Sequence, residues 1–269
     1  WQRLKQYANN QGIELVGAIP IDVAPDSSDL WANPELFQTD PEGNPAEVAG
    51  VPPDGFSKDG QLWGNPLYNW PNHKKQGYHW WLRRLQYNME LYDVIRIDHF
   101  RGFCDYYAIP AGAKTAATGA WRPGPGKDFI RAVKNELPDI RIIAEDLGFL
   151  TDEVRELLVY SGYPGMKILQ FAFGGRPGEQ NDYQPHNYHH QTVVYTGIHE
   201  NPTTGEWEQA PGKNENSFCR QYRELHPRQS VTRALVLHAV RTVADTALTL
   251  PTDRLGVDGG ARAHQAADP

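Results

Sequence analysis

At 269 residues, with 39% hydrophobic and 22% charged side chains, the chain has the make-up of an ordinary soluble globular protein and the length to bury one large core. A formal net charge of -7, with no run of Lys or Arg, makes nucleic acid and anionic membrane poor partners, and no stretch approaches the ~18 apolar residues of a membrane span. Two cysteines, Cys104 and Cys219, are too few for a disulfide framework and lack metal-ligand spacing, which points to a reducing compartment.

The first residue is Trp1 rather than Met, so the chain reads as a piece of a longer one. Residues 1–11 predict the end of a helix, with Leu4, Tyr7 and Ala8 at helical spacing and Gly12 as its stop. A strand is expected over 13–16, after which Gly17 to Ile21 turn out of the sheet. Residues 25–71 are dense in Asp, Pro, Gly and Trp and read as a loop-rich insertion. Trp81, Leu85 and Met89 then recur at i, i+4 and i+8, an amphipathic helix over 77–91. Val94, Ile95 and Ile97 form the β-branched run of a strand covered on both faces. A helix over 128–137 is ended by Pro138, and a strand over 140–144 delivers Glu145. Thr151 caps the next helix, with Asp152 and Glu153 in its first turn and Gly162 at its end. Strands are expected over 166–171 and 192–196, a helix over 231–246, and a strand over 247–250. Strands alternating with helices predict an α/β chain with a parallel sheet, and acidic residues at strand ends favour a (β/α)8 TIM barrel with its site on the C-terminal face. Roughly six strands can be found where a closed barrel needs eight, and the deficit sits at the N-terminus. The expectation is therefore a partial catalytic barrel over 1–269, incomplete at its N-terminal side, with 25–71 as an insertion.

The chemistry concentrates where two strands end on carboxylates. Arg96 and Asp98 lie two residues apart on one strand, so their side chains point the same way. An Arg beside an Asp holds the carboxylate ionised, as a nucleophile requires; a structural ion pair closing the strand is the plainer alternative. Glu145 follows the apolar Ile142-Ile143-Ala144, a setting that raises a carboxyl pKa toward the working pH of a general acid. Three histidines cluster in His186-Asn187-Tyr188-His189-His190, but no carboxylate or Cys set accompanies them, so no metal site is assigned and a surface or structural loop is the simpler reading.

Ile95-Arg96-Ile97-Asp98-His99-Phe100-Arg101-Gly102 resembles the nucleophile segment of the 4-alpha-glucanotransferases (amylomaltases, or disproportionating enzymes), relatives of the alpha-amylases. Ala144-Glu145-Asp146-Leu147-Gly148 matches the acid/base motif of that family. Asp26-Ser27-Ser28-Asp29-Leu30-Trp31-Ala32, Ala49-Gly50-Val51-Pro52-Pro53-Asp54 and Gly60-Gln61-Leu62-Trp63-Gly64-Asn65-Pro66-Leu67-Tyr68 are similar to segments bordering its cleft. The resemblance implies transfer of alpha-1,4-glucan segments between maltooligosaccharides, with no cofactor, by a retaining two-carboxylate mechanism. It makes Asp98 the nucleophile, Glu145 the acid/base and Glu200 the third carboxylate. It places Arg96, His99, His199, Trp63, Asn65, Tyr68, His186 and Asn187 among the substrate-binding residues. It further implies a cytoplasmic enzyme, or a plastid one if the source is a plant or alga, with the family's first strands preceding Trp1 and a further segment following Pro269.

The sequence also departs from the family. Tyr195-Thr196-Gly197-Ile198-His199-Glu200-Asn201 is similar to the family's Thr-Gly-Thr-His-Asp-Asn, with Glu200 where Asp is expected. Ala18 stands for an Asp, Gly55 for a Tyr, Pro202 for an Asp, and Pro251-Thr252-Asp253-Arg254 for a Pro-x-Gln-Asp motif, while 257–269 matches poorly. Two alternatives therefore stay open beside the transferase: an alpha-amylase-type hydrolase, and a weakened or silent glucan-binding homologue.

Overall fold

A computed structural model of the chain describes residues 1–54, 57–148, 150–174, 179, 181–210, 214–241, 245–249 and 260–263. In chain order it opens with α1 (Gln2–Asn10), β1 (Val16–Ile19), α2 (Ser28–Ala32), β2 (Glu47–Val51) and β3 (Gln61–Pro66). Next come α3 (Trp70–Lys75), α4 (His79–Leu91), β4 (Val94–Ile97), β5 (Asp105–Pro110), β6 (Ala120–Pro123) and α5 (Gly126–Glu136). Then follow β7 (Ile142–Ala144), α6 (Asp152–Ser161), β8 (Gly165–Ile168), β9 (Thr192–Tyr195) and α7 (Thr204–Gln209). The rest is α8 (Asn214–Tyr222), α9 (Val231–Arg241), β10 (Asp245–Thr249) and β11 (Gly260–Ala263). The chain is α/β and divides into two compact units, one of Ala18–Glu90 with Ile95–Tyr163, the other of Trp1–Gly17, Leu91–Val94 and Pro164–Pro269.

In the first unit the apolar stripe of α4 and the runs of β4 and β7 meet on an aromatic core. Trp81 and Leu85 are fully buried, and Phe103 stacks on Phe129 with ring centroids 4.5 Å apart. β4 pairs in parallel with β7, setting Ile95 against Ile142 and Ile97 against Ala144, so both strands end at the same level with Asp98 and Glu145. α6 follows the sequence closely: the Thr151 side chain accepts from the N–H of Val154, and Gly162, at φ +68°, turns the chain out of the helix.

The region read as a loop-rich insertion is more ordered than that. It carries α2 and the strands β2 and β3, which belong to a four-stranded antiparallel sheet ordered β3-β2-β5-β6. The strands of this sheet escaped the sequence reading because they are short, three of the four end in a proline (Pro66, Pro110 and Pro123), and they lack clean alternation. Gly50 carries the close approach of β2 to β3: a Cβ there would sit 2.2 Å from the Gln61 carbonyl oxygen, next to a register shift between Val48 and Gly50.

In the second unit β8, β9 and β10 pair in parallel, and β11 adds antiparallel to β10. Glu208 of α7 accepts hydrogen bonds from the N–H groups of Val231 and Thr232 (2.8 and 2.9 Å) and from the Ser230 hydroxyl (2.9 Å), which closes the N-terminus of α9. Burial pushes its carboxyl up, but these hydrogen bonds outweigh burial and hold it at about 2.

Several boundaries differ from expectation. The first strand lies at Val16–Ile19 rather than 13–16, and the strand expected over 166–171 stops at Ile168, beyond which Leu169–Phe173 tighten into a 3-10 turn. The helix expected to reach 246 ends at Arg241, because Asp245 and Thr246 instead pair with Val193 and Val194 of β9. Gly55 and residues 251–254 lie outside the described residues, as does the 257–269 tail apart from 260–263. Among the described residues no helix is long and apolar enough to cross a membrane, and no group of three or more His, Cys, Asp or Glu is arranged to hold a metal ion.

Candidate active site

Asp98 leaves the end of β4 with its N–H on the Ile19 carbonyl (3.0 Å) and its side-chain Oδ1 accepting from Arg96 Nε (3.0 Å). Arg96 is 5% exposed, so the guanidinium sits inside the strand layer while the Asp98 side chain, 36% exposed, reaches the surface beyond it. The same-face placement predicted from strand alternation is thus realised as an ion pair with the carboxylate outermost. An ion pair of this kind fixes the rotamer of the acid.

His99 turns the chain in the left-handed region (φ +54°, ψ +49°), a conformation a non-glycine residue adopts only at a cost. In that conformation its backbone N–H donates to Glu145 Oε2 at 2.6 Å. The N–H of Leu147 donates to the other oxygen, Oε1, at 2.8 Å. Two main-chain bonds knit the ends of β4 and β7 together, Phe100 N–H to the Glu145 carbonyl and Glu145 N–H to the Ile97 carbonyl, both 3.0 Å. Burial, aided by the negative charges of Asp98 and Asp146, raises the Glu145 carboxyl to about 7 against the pull of its two backbone donors. Of the two carboxylates delivered by adjacent strands, one is paired with Arg96 and the other is poised to hold a proton near neutrality.

Around this pair, the Trp63 ring meets His99 edge-on at 4.9 Å and is 38% exposed. Burial and the charge of Arg101 push His99 down to about 4, so its imidazole is neutral at ordinary pH and offers hydrogen bonds rather than charge. Asn65 donates from Nδ2 to the Val23 carbonyl (2.8 Å). Tyr68 is 3% exposed inside the aromatic core, with its hydroxyl donating to the Ile21 carbonyl (2.7 Å), and it lines the same pocket as Trp63 and His99. Sequence reasoning passed over Asp22, which lines the same pocket as Trp63 and His99. The signal was present, a lone acid between the core residues Ile21 and Val23 just past β1.

The remaining predicted residues belong to the second unit. His199 and Glu200 are exposed in the turn after β9, which closes through the Asn201 side chain on the N–H of Ile198 (3.0 Å). His186 is exposed and stacks on Tyr222, with Nδ1 2.7 Å from its hydroxyl, and Asn187 donates to the Asn181 carbonyl (2.9 Å).

Paired strand-end carboxylates of this kind occur in many glycoside-processing enzymes, and comparison with known proteins narrows the field. The family model described as 4-alpha-glucanotransferase matches residues 1–264. The chain belongs to the 4-alpha-glucanotransferase family. It is 47% identical over 267 residues to the 4-alpha-glucanotransferase of Streptococcus pneumoniae serotype 4, covering 97% of this chain and 52% of that protein. It is 42% identical over 262 residues to the chloroplastic/amyloplastic 4-alpha-glucanotransferase of Arabidopsis thaliana, covering 97% and 45%. Among solved structures, the amylomaltase from Streptococcus agalactiae in complex with acarbose matches with a TM-score of 0.89 at 40% identity, over 94% of this chain and 51% of that one. The chain spans about half the length of the relatives it matches.

Proposed function

We propose that the protein carrying this chain transfers alpha-1,4-glucan segments between maltooligosaccharides with retention of configuration. Asp98 attacks the anomeric carbon of the donor while Glu145 protonates the departing glycosidic oxygen, leaving a glycosyl-enzyme ester. Glu145, now ionised, takes the proton of an acceptor hydroxyl, whose oxygen attacks the anomeric carbon of the glycosyl ester and displaces the Asp98 carboxylate. The observation that carries this reading is the Glu145 carboxyl, gripped by the N–H of the residue after Asp98 and held at about 7. Arg96 orients the nucleophile, and His99 and Trp63 line the donor side.

His199, His186, Asn187 and Asn65 complete the substrate-binding set in this proposal, and the chain supplies part of a (β/α)8 barrel over 1–269 with 25–71 bordering the cleft. Parallel pairing of β4 with β7 and of β9 with β8 and β10 supports the barrel reading. The cytoplasm, or a plastid, is the setting this reading implies.

Incubation of the full-length protein with maltotriose tests the proposal. Longer oligomers appearing together with glucose support a transferase, glucose and maltose alone would make the protein a hydrolase, and binding without products would make it a silent binder.

Glu200 takes the third-carboxylate role through its place in the His199-Glu200-Asn201 motif. The extra methylene of Glu relative to Asp shifts the carboxylate by roughly an ångström, which weakens contacts formed as the donor ring distorts toward the transition state. Glu200→Asp should raise kcat about tenfold, ~1.4 kcal/mol of recovered stabilisation, with little change in maltooligosaccharide affinity. Steady-state kinetics on maltotriose read the change, and an Asp variant no faster than the parent would mean that Glu200 is already accommodated or that the other departures have silenced the site.

A further inference from the structure

The segment that follows β1 is fixed on both sides of Asp22. Arg84 donates to the Pro20 carbonyl (2.8 Å) and the Ile21 carbonyl (3.2 Å), the Tyr68 hydroxyl donates to the Ile21 carbonyl (2.7 Å), and Asn65 donates to the Val23 carbonyl (2.8 Å). Ile21 and Val23 point into the core. Asp22 lines a recess that it shares with Ile21, Trp63, His99, Tyr106 and Tyr107. The recess measures about 20 Å³, room for one water or one hydroxyl group and too small for a sugar ring. Among the described residues the Asp22 carboxyl makes no hydrogen bond, although every backbone carbonyl around it that Arg84, Tyr68 and Asn65 reach is satisfied. A half-buried carboxyl beside aromatic rings, with the charge of Arg84 near it but no hydrogen bond, keeps acceptor capacity for a group from outside.

We propose that Asp22 is a positioning residue that draws one hydroxyl group of the bound glucan into this recess, beside His99 and Trp63. The inference rests on the transferase reading and deepens it, since the recess borders the residue that follows Asp98. The groups facing Asp22 are Arg84 from α4, Tyr68, His99 after β4, and Tyr106 and Tyr107 from β5. Burial raises the carboxyl to about 7, and the Arg84 charge limits the rise. Near neutrality Asp22 therefore exists in both forms, donating to the sugar oxygen when protonated and accepting from its hydroxyl when ionised. His99 is neutral in this range, and Tyr68 keeps its proton because burial drives its pKa far upward.

Titration calorimetry of maltotriose into the full-length Glu145→Gln protein, which binds without turnover, tests the inference. Asp22→Ala, added to that background, should weaken binding about tenfold, while Asp22→Asn, which keeps an oxygen and an N–H in place, should stay within about threefold. Because the ionised carboxylate is the stronger partner for a hydroxyl, Kd of the parent should fall as pH rises through about 7 and that of the Asn variant should not, with thermal melts confirming that both variants fold. Affinity and pH profile unchanged in Asp22→Ala would overturn the inference and leave the recess to an ordered water only. Equal loss in Ala and Asn, with a lowered Tm, would overturn it in favour of a purely structural acid. Absence of maltotriose binding when Asp22 is intact would overturn the transferase reading and this inference with it.

Discussion

Asp98→Asn should abolish formation of the glycosyl-enzyme while leaving the fold in place, with kcat on maltotriose falling by about ten-thousandfold or more. The amide is nearly isosteric with the carboxylate and can still accept from Arg96 Nε, which holds the present side chain at 3.0 Å. Main-chain bonds from Asp98 to Ile19 and between Ile97 and Glu145 do not involve the side chain at all. What the amide lacks is an oxygen able to attack the anomeric carbon. The effect also travels to Glu145: removing the Asp98 charge takes away one of the influences that raise the Glu145 carboxyl, so its titration should move down from about 7. Intact-mass measurement with peptide mapping, after incubation with a 5-fluoro glycosyl fluoride, decides the matter. The parent gains one glycosyl adduct on the peptide containing residue 98; an adduct on the same peptide of the Asn variant would show that another side chain is the nucleophile.

The two carboxylates were legible because each follows a short apolar run, and strand alternation alone put Arg96 and Asp98 on one face. Period and caps also placed α4, α5 and α6. Less visible was how Glu145 is held. Its two donors are backbone N–H groups of His99 and Leu147, which any residue type supplies, and the left-handed turn at His99 has no signature in a histidine. The antiparallel sheet was illegible for a related reason. Its strands are fixed by partners far away in the chain, such as Glu47 against Pro110 and Asp105 against Pro123, and local composition reads instead as Pro-rich loop. The burial of Tyr68 was equally hidden, because a motif bordering a cleft mixes exposed rings such as Trp63 with rings packed into the core.

Glu145→Gln should cut turnover of maltotriose by about a thousandfold and cut the first step on maltosyl fluoride far less. Glycosidic oxygen is a poor leaving group that needs the proton, whereas fluoride departs without one, so loss of the acid is felt only by the natural donor. The second step still needs a base, and the Gln variant should therefore accumulate glycosyl-enzyme from the fluoride, visible as a burst of fluoride release followed by a slow phase. The pH dependence gives an independent sign. Glu145 is raised above the ordinary carboxyl range to about 7, so its acid form is full below that pH, half present at it and lost above it. Where the first step limits the rate, parent activity on maltotriose should fall on the alkaline side of about 7, and this limb should vanish in Glu145→Gln. The two N–H donors from His99 and Leu147 fit the Gln side chain only at its carbonyl oxygen, leaving the other N–H group opposed by an NH₂, which should lower Tm by several degrees. A ratio of fluoride to maltotriose activity equal to that of the parent, or an alkaline limb that survives the substitution unchanged, would take the acid/base role away from Glu145 and hand the proton to another group of the site.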